Sequence, residues 1–222
     1  MNEMCWADLY PLVSPDFFSI TRTHVDVEDE IARLGGERLT DALHPPRRFE
    51  YPWTYINIPN TRDIVILDAG GGPASFQYLL ALNFKRVVNV DMNREFLARV
   101  EAIKHRTTMF PNLETQLGLL SKLDYPDKYF DVTTCVSVLE HSDEDVFPVI
   151  DELIRVTKEV VLITIDVKVG GDVGLGFDIL NEMGKRYGFE VPEIHNGALR
   201  LIPKDGTEDM CIACIRLEVE NE

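Results

Sequence analysis

The sequence predicts an α/β fold in which helices cover both faces of a doubly wound, seven-stranded sheet. Three observations predict this fold. From residue 63 onward, short apolar runs alternate with segments of helical periodicity, the pattern of a parallel sheet covered on both sides. A glycine-rich turn follows the first run, and two apolar runs with no helix between them end the sequence. These last two runs indicate a C-terminal antiparallel hairpin added to the sheet.

The chain has 222 residues, of which 45% are hydrophobic, enough for one α/β domain with a modest extra segment. We expect residues 63–222 to form that domain and residues 1–62 to form an N-terminal cap or lid. The cap contains a predicted helix at 25–34, ended by Gly35-Gly36, and an aromatic stretch at 49–55 predicted to be a loop or short extended piece. Since disordered tails are poor in large rings, we expect the cap to cover the carboxyl edge of the sheet and to form one wall of the ligand pocket.

The predicted elements of the domain follow one another in order. An apolar run at 64–67 ends at Asp68 and the glycines, a second run at 86–90 ends at Asp91, and a β-branched run lies at 160–165. Helical periodicity fills the intervals, so a ligand is expected beyond the carboxyl ends of the strands. The predicted strands are 64–67, 86–90, 113–117, 130–136, 160–165, 198–202 and 210–219. The predicted helices are 75–82, 94–104, 144–156 and 175–187, and a turn at 203–206 joins the last two strands.

The charge of the chain excludes some partners. Twenty-two basic residues against 38 acidic ones give a net charge of −16, and affinity for nucleic acids rests largely on basic residues that neutralise phosphates. We therefore expect no nucleic-acid partner and no acidic membrane surface. The first residues lack the pattern of a signal peptide, and apolar runs are shorter than a bilayer requires. A cytoplasmic protein is expected.

Cys211 and Cys214 form a CxxC pattern. They fall on a predicted strand, where residues three apart point to opposite faces. They are therefore expected to be buried small hydrophobic residues rather than a redox pair, and no metal site is predicted.

The glycine cluster is the strongest motif. Asp68 ends the first strand of the domain, Gly70, Gly71 and Gly72 follow, and a helix begins near Ser75. Glycines allow positive φ and close approach of a ligand to the backbone, and the helix N-terminus supplies free amides. A plain tight turn would explain the glycines alone.

Asp91 ends the next strand, 23 positions after Asp68. A carboxylate at this place can accept hydrogen bonds from both ribose hydroxyls of an adenosine. The alternative is a solvated aspartate that caps the helix after Asn93. The two features together, each at the end of a predicted strand, are more specific than either one.

Residues 63–167 resemble the class I S-adenosylmethionine-dependent methyltransferases, especially their small-molecule branch, which have a Rossmann-like sheet. The resemblance rests on Asp68–Ala74, on Asp91, on the segment Leu123–Asp131 and on Ser137-Val138-Leu139-Glu140-His141. It implies S-adenosylmethionine as cofactor. The implied cofactor-binding residues are Asp68, Gly70, Gly71, Gly72, Asp91, Met92, Leu119, Leu120 and Ser137.

The chain departs from the family pattern at two positions. Ala74 replaces the last glycine of the loop, and Leu119 stands where many members have an aspartate that contacts the adenine amino group. A backbone carbonyl or Ser121 could make that contact, with Leu119 and Leu120 sandwiching the ring. A nicotinamide cofactor fits less well, because the third glycine of its fingerprint is missing and Asp68 would repel a pyrophosphate.

His141 is the candidate catalytic base, because it follows the fourth strand of the domain at the expected pocket edge and histidine titrates near neutral pH. A surface or helix-capping histidine is the alternative. His24 and His44 could be delivered from the cap. Tyr51, Trp53 and Tyr55 could line the pocket or brace the sheet, and the glycine-rich segment 170–176 could be a mobile loop at the site.

The function predicted from the sequence is methyl transfer to a small polar metabolite, which could be a sugar or other glycan precursor. The glycan suggestion rests on a loose resemblance around Glu50-Tyr51-Pro52-Trp53 to methyltransferase-like proteins of polysaccharide pathways. The alternative is a methyltransferase-like binding protein without catalysis, which Leu119 and the missing glycine motivate.

Overall fold

A computed structural model describes residues 1–7, 15–34, 45–168, 174–194, 198, 200–201 and 210–220. Five sequence-based predictions fall wholly or partly outside these residues. They are the Gly35-Gly36 helix end, the role of His44, the mobile loop beginning at 170, the strand at 198–202 and the turn at 203–206.

A mixed sheet forms the centre of the molecule and confirms the predicted doubly wound fold. Its order is β1-β8-β6-β5-β2-β3-β4, with β7 paired to β8. β2 to β6 run parallel, whereas β8 lies antiparallel to β6 and is flanked by antiparallel β1 and β7. The strands are β1 Glu3–Trp6, β2 Val65–Ala69, β3 Arg86–Asp91, β4 Leu113–Leu117, β5 Phe130–Val136, β6 Thr157–Lys168, β7 Arg200–Leu201 and β8 Met210–Glu218.

The chain winds in opposite directions from β2. After β2 it goes to β3 and β4 on one side, and then crosses to β5 and β6 on the other. The carboxyl ends of β2 and β5 therefore form a topological switch point, where open α/β sheets bind ligands.

Six α-helices and one 3₁₀ turn are described, and two helices have side-chain N-caps. The side chain of Asn93 accepts hydrogen bonds from the Glu95 and Phe96 amides, and that of Asp145 accepts one from the Phe147 amide. The helices are α1 Pro15–Arg33, α2 Arg47–Asn57, α3 Phe76–Asn83, α4 Arg94–Lys104, α5 Val146–Val156 and α6 Phe177–Tyr187, and the 3₁₀ turn is Leu139–His141.

Two parts of the N-terminal segment differ from the prediction. Residues 49–55 belong to helix α2, not to a loop: Pro46 stands at the helix N-terminus, where its missing amide costs nothing, and the buried run 49–54 offsets the cost of Pro52 inside the helix. Strand β1, too short to show a period, was not predicted and pairs with β8.

The two faces of the sheet bury separate apolar clusters. Helices α5 and α6 pack on one face, and α1, α2, α3 and α4 pack on the other. Cys211 belongs to the first cluster and Cys214 to the second, as expected for residues three apart on a strand. None of the described helices is both long and apolar enough to cross a bilayer.

A buried polar contact ties α1 to the start of α3, directly after the glycine turn. His24 Nε2 lies 2.6 Å from Ser75 Oγ, and Ser75 Oγ donates to Glu28 Oε1 at 2.7 Å. Since the serine proton goes to the carboxylate, His24 Nε2 carries the hydrogen and donates it to the serine oxygen. Burial lowers the pKa of His24 to about 4.

This contact predicts acid sensitivity. Between pH 6.5 and 4 the unfolded chain protonates His24 while the folded chain does not, so stability falls as pH falls through this window. Relative to pH 7, we expect a loss on the order of 2 kcal/mol at pH 5.

Urea denaturation of the wild type and of His24→Gln at pH 7 and pH 5 isolates the contribution of His24 to the free energy of unfolding. The other titrating groups cancel in the comparison, so the wild type should lose more stability than the variant. An equal loss in both proteins would mean that the buried His24 titrates normally.

Candidate active site

Two adjoining cavities lie at the switch point. The larger has a volume of about 330 Å³ and the smaller about 170 Å³, and Gly70, Gly72 and Ser137 line both. The larger is also lined by Asp91, Met92, Asn93, Phe96, Leu120, Val138, His141, Ser142 and Glu144. The smaller is also lined by Arg47, Tyr51, Asp68, Gly71, Pro73, Ala74, Phe76 and Val136. The larger volume is in the range of small-molecule sites.

The glycine turn presses its backbone against the segment after β5. Gly70 has a φ of +68°, and a Cβ at this position would lie 2.5 Å from Val138 Cγ1. Gly72 has a φ of +55°, but a Cβ there would meet no atom closer than 3.8 Å. Gly70 is therefore needed for packing, whereas Gly72 faces open space that a ligand can enter.

Asp91 stands at the end of β3 with both carboxylate oxygens on the turn side. Oδ2 accepts from the Gly72 amide at 3.0 Å, and Oδ1 accepts from the Asn93 amide at 2.7 Å. Each oxygen keeps a second lone pair, and the residue lines the larger cavity. The carboxylate is thus held in place and can still accept hydrogen bonds from a ligand.

Asp68 is buried under the smaller cavity. Its Oδ1 accepts from Thr134 Oγ1 at 2.8 Å. Burial, reinforced by the nearby Asp91, raises the pKa of this carboxyl to about 6, although the threonine hydrogen bond opposes the shift. A cationic ligand group beside it would favour the ionised form.

A buried ion pair joins helix α2 to the sheet. Arg47 of α2 pairs with Glu50, which is fully buried. Glu50 Oε1 also accepts from Ser137 Oγ at 2.5 Å and from Thr164 Oγ1 at 2.8 Å. Ser137, held in this way, has a φ of +49° and faces both cavities.

Two further acidic side chains lie beside this pair. Glu140 is in the 3₁₀ turn after β5, and Asp166 is near the end of β6. Burial raises the pKa of Glu140 to about 8 and that of Asp166 to about 6. Together with His141 they offer ligand atoms that all lie within 4.8 Å of one another, a spacing that suits a metal ion.

The structure brings most of the sequence-predicted residues to the two cavities. Leu119 is the exception: it is half exposed and does not line either cavity, whereas its neighbour Leu120 lines the larger one. Tyr51 lines the smaller cavity, while Trp53 and Tyr55 do not. His24 is buried against Ser75 and does not line either cavity, although its ring packs against Tyr51, which lines the smaller one.

Several site residues were not predicted from the sequence. Glu144 accepts hydrogen bonds from the Leu120 and Ser121 amides, at 3.1 and 3.0 Å, and so fixes the loop after β4 beside the larger cavity. Phe96 follows the Asn93 cap by one helical turn, a spacing that could have marked it. Arg47, Glu50 and Asp166 carried no local signal, because only the fold brings α2 and β6 to this edge.

Comparison with known protein families gave a match, and it covers the strands and turns that form the two cavities. Residues 67–164 match the family model described as a methyltransferase domain. The comparison with curated proteins gave no match.

Solved structures of low sequence identity share the fold. The [4+2]-cyclase SpnF has a TM-score of 0.65 at 14% identity, with 93% of this chain and 95% of that chain covered. A geranyl diphosphate C-methyltransferase from Streptomyces coelicolor, solved with Mg²⁺, geranyl diphosphate and S-adenosyl-L-homocysteine, has a TM-score of 0.61 at 11% identity over 94% and 99%. An S-adenosylmethionine-dependent methyltransferase from Methanosarcina mazei has a TM-score of 0.52 at 17% identity over 76% and 98%.

The contact between Gly70 and Val138 predicts the effect of a single methyl group. Gly70→Ala should destabilise the protein by about 2–4 kcal/mol, because it adds a clash to the cost of a positive φ. Gly188→Ala is the matched control: it has a φ of +75° but no atom within 4 Å of the added Cβ, so it should cost only about 1 kcal/mol.

Thermal unfolding with circular dichroism measures both variants. Adding Val138→Ala should recover part of the loss in Gly70→Ala and none of the loss in Gly188→Ala. Equal losses in the two glycine variants would show that the contact with Val138 does not constrain the turn.

Proposed function

We propose that this chain, whose residues 67–164 match the model of a methyltransferase domain, transfers a methyl group from S-adenosylmethionine to a small polar metabolite, sugars and other glycan precursors included. The observation that carries the proposal is the pairing of an open glycine turn with a fixed, ligand-accessible Asp91 at the rim of one cavity. S-adenosylmethionine supplies the methyl group, activated on a sulfonium.

The residues present fit this cofactor. Asp91 would accept hydrogen bonds from the ribose hydroxyls, with its remaining lone pairs facing the larger cavity. Met92 and Leu120, with Phe96, supply apolar surface for a purine in that cavity. Asp68 would face a methionine amino group across the smaller cavity, beside Gly71.

The acceptor side of the site is polar. Ser137 and His141 line the larger cavity, and Glu140 and Asp166 lie beside them. A hydroxyl acceptor loses its proton as its oxygen bonds to the methyl carbon, and we propose that His141 assists this loss. Positioning and exclusion of water supply much of the remaining catalysis.

The charge balance supports a small-molecule acceptor. With a net charge of −16, binding of duplex DNA or RNA would lack the basic groups that neutralise phosphates. We propose that the protein acts on a metabolite in the cytoplasm.

A second candidate is a protein of this fold that does not transfer methyl groups. Leu119 lines neither cavity, and its neighbour Leu120, which lines the larger one, cannot make a polar side-chain contact with adenine, which favours this candidate. The similarity to SpnF also shows that this fold serves a cyclase. Binding and turnover of S-adenosylmethionine distinguish the two candidates.

Asp91→Asn should weaken S-adenosylmethionine binding at least about tenfold, because each charge-assisted hydrogen bond to a ribose hydroxyl contributes roughly 1.5–3 kcal/mol. Isothermal titration calorimetry measures the change. Asp63→Asn is the control, since Asp63 is an exposed aspartate at the other end of β2. Equal affinity in all three proteins would refute the ribose assignment.

Turnover is measured with S-adenosylmethionine labelled at the methyl group and a panel of hydroxylated and aminated metabolites. The proposed function expects label in at least one acceptor and S-adenosylhomocysteine in equal amount. Tight binding without turnover on the whole panel would favour the non-catalytic candidate.

A further inference from the structure

Glu140, His141 and Asp166 form a compact group on the acceptor side of the site. The 3₁₀ turn Leu139–His141 places the first two directly after β5, and the neighbouring strand β6 carries the third. One carboxylate oxygen from each acid and one imidazole nitrogen lie within 4.8 Å of one another. Three atoms so arranged surround a point that is only slightly farther from each than the roughly 2.0–2.3 Å of metal–ligand bonds.

The two carboxylates do not satisfy each other. Glu140 Oε1 accepts from the Asp166 amide at 3.0 Å, so only the main chain of Asp166 is involved. Glu140 Oε2 and Asp166 Oδ1 are buried and have no hydrogen-bond partner among the described residues. Buried polar atoms of this kind require a partner, which can be an ordered water, a shared proton or a bound ion.

The nearby cation is already engaged. Arg47 pairs with Glu50, and the remaining acceptor sites of Glu50 receive Ser137 and Thr164. Arg47 pairs with Glu50 and also interacts electrostatically with Asp166, so this one cation stands against the three carboxyl groups of Glu50, Glu140 and Asp166. A divalent cation carries the charge that would balance them.

We propose that Glu140, His141 and Asp166 bind a divalent first-row metal ion, Mn²⁺ or Zn²⁺. One imidazole nitrogen and two carboxylate oxygens form a donor set typical of these metals, whereas Mg²⁺ and Ca²⁺ prefer oxygen ligands alone. The sequence predicted no metal site, because Glu140 and His141 are adjacent in the chain and only the fold adds Asp166.

The role of the ion rests on the proposed function. Three protein ligands leave coordination positions open, and His141 lines the larger cavity. An acceptor oxygen bound there would lose its proton more readily, since a metal ion lowers the pKa of a bound hydroxyl. His141 would then assist proton loss as a metal ligand. The class of acceptors would be limited to metabolites that coordinate metals through oxygen.

Equilibrium binding of Mn²⁺, measured by electron paramagnetic resonance on the chelator-treated full chain, tests the site. We expect one Mn²⁺ per chain, displaced by Zn²⁺. Glu140→Gln, Asp166→Asn and His141→Ala should each weaken binding at least about tenfold, through the loss of one ligand. Asp143→Asn is the control: it removes an exposed charge from the same loop and should bind Mn²⁺ like the wild type.

A spectroscopic readout separates ligation from general charge effects. Electron spin echo modulation from a directly bound nitrogen should appear in the wild type and in Asp143→Asn, and should be absent in His141→Ala. Because His141 is exposed, this variant should fold even where the buried substitutions do not, as circular dichroism will show.

The inference is overturned if the wild type binds neither Mn²⁺ nor Zn²⁺ at millimolar concentration, or if the three ligand variants bind as well as Asp143→Asn. If the wild type binds neither metal, the carboxyl groups of Glu140 and Asp166 share protons in place of an ion. Glu140→Gln should then raise the melting temperature, because it removes one of two like charges. Calorimetric titration of the same samples with S-adenosylmethionine keeps the two proposals apart. Cofactor binding without metal binding refutes the metal site alone, and metal binding without cofactor binding refutes the proposed function.

Discussion

The buried carboxylate of Glu50 is the interaction on which the site depends. It receives Arg47 from its own helix, Ser137 from the end of β5 and Thr164 from β6. One side chain therefore fixes helix α2, two strands and the residue that borders both cavities. The Arg47–Glu50 pair contributes little net stability, because the desolvation of both charges offsets their attraction. Its effect is on geometry: α2 can occupy only the position at which Arg47 and Tyr51 close the smaller cavity.

The fold of the described residues after 63 could be predicted because local pattern and global topology agree there. The buried parallel strands contain short, mostly apolar runs, such as 64–67 and 160–165. The helix cap at Asn93 lies where the sequence changes from strand to helix. The N-terminal segment could not be predicted in the same way. Proline content favoured a loop at 49–55, but burial of Phe49, Tyr51 and Trp53 against the sheet decides in favour of a helix.

The candidate site shows the same division. Residues that act through the backbone of one turn, such as Gly70 and Gly72, are visible in the sequence, since strand, turn and helix are contiguous. Residues that act across the fold are not. Asp166 lies 26 positions from Glu140, and its side chain is brought to the site only by the pairing of β6 with β5. Leu119 was assigned from its place in the loop, but Glu144 holds the following amides so that Leu120 is the residue in the cavity.

The acidic excess beside Ser137 also constrains which acceptors can react. With Glu140 and Asp166 ionised and Arg47 shared between Asp166 and Glu50, the local charge disfavours an acceptor that carries its own negative charge, including the alkoxide that forms as a hydroxyl loses its proton. Protonation of the two carboxyl groups removes the repulsion and makes each group a hydrogen-bond donor. On our proposal, a divalent ion held by Glu140, His141 and Asp166 would reverse the local charge and attract the developing oxyanion. Ionised carboxylates without the ion would favour an amine acceptor, whereas the bound ion would favour an oxygen acceptor.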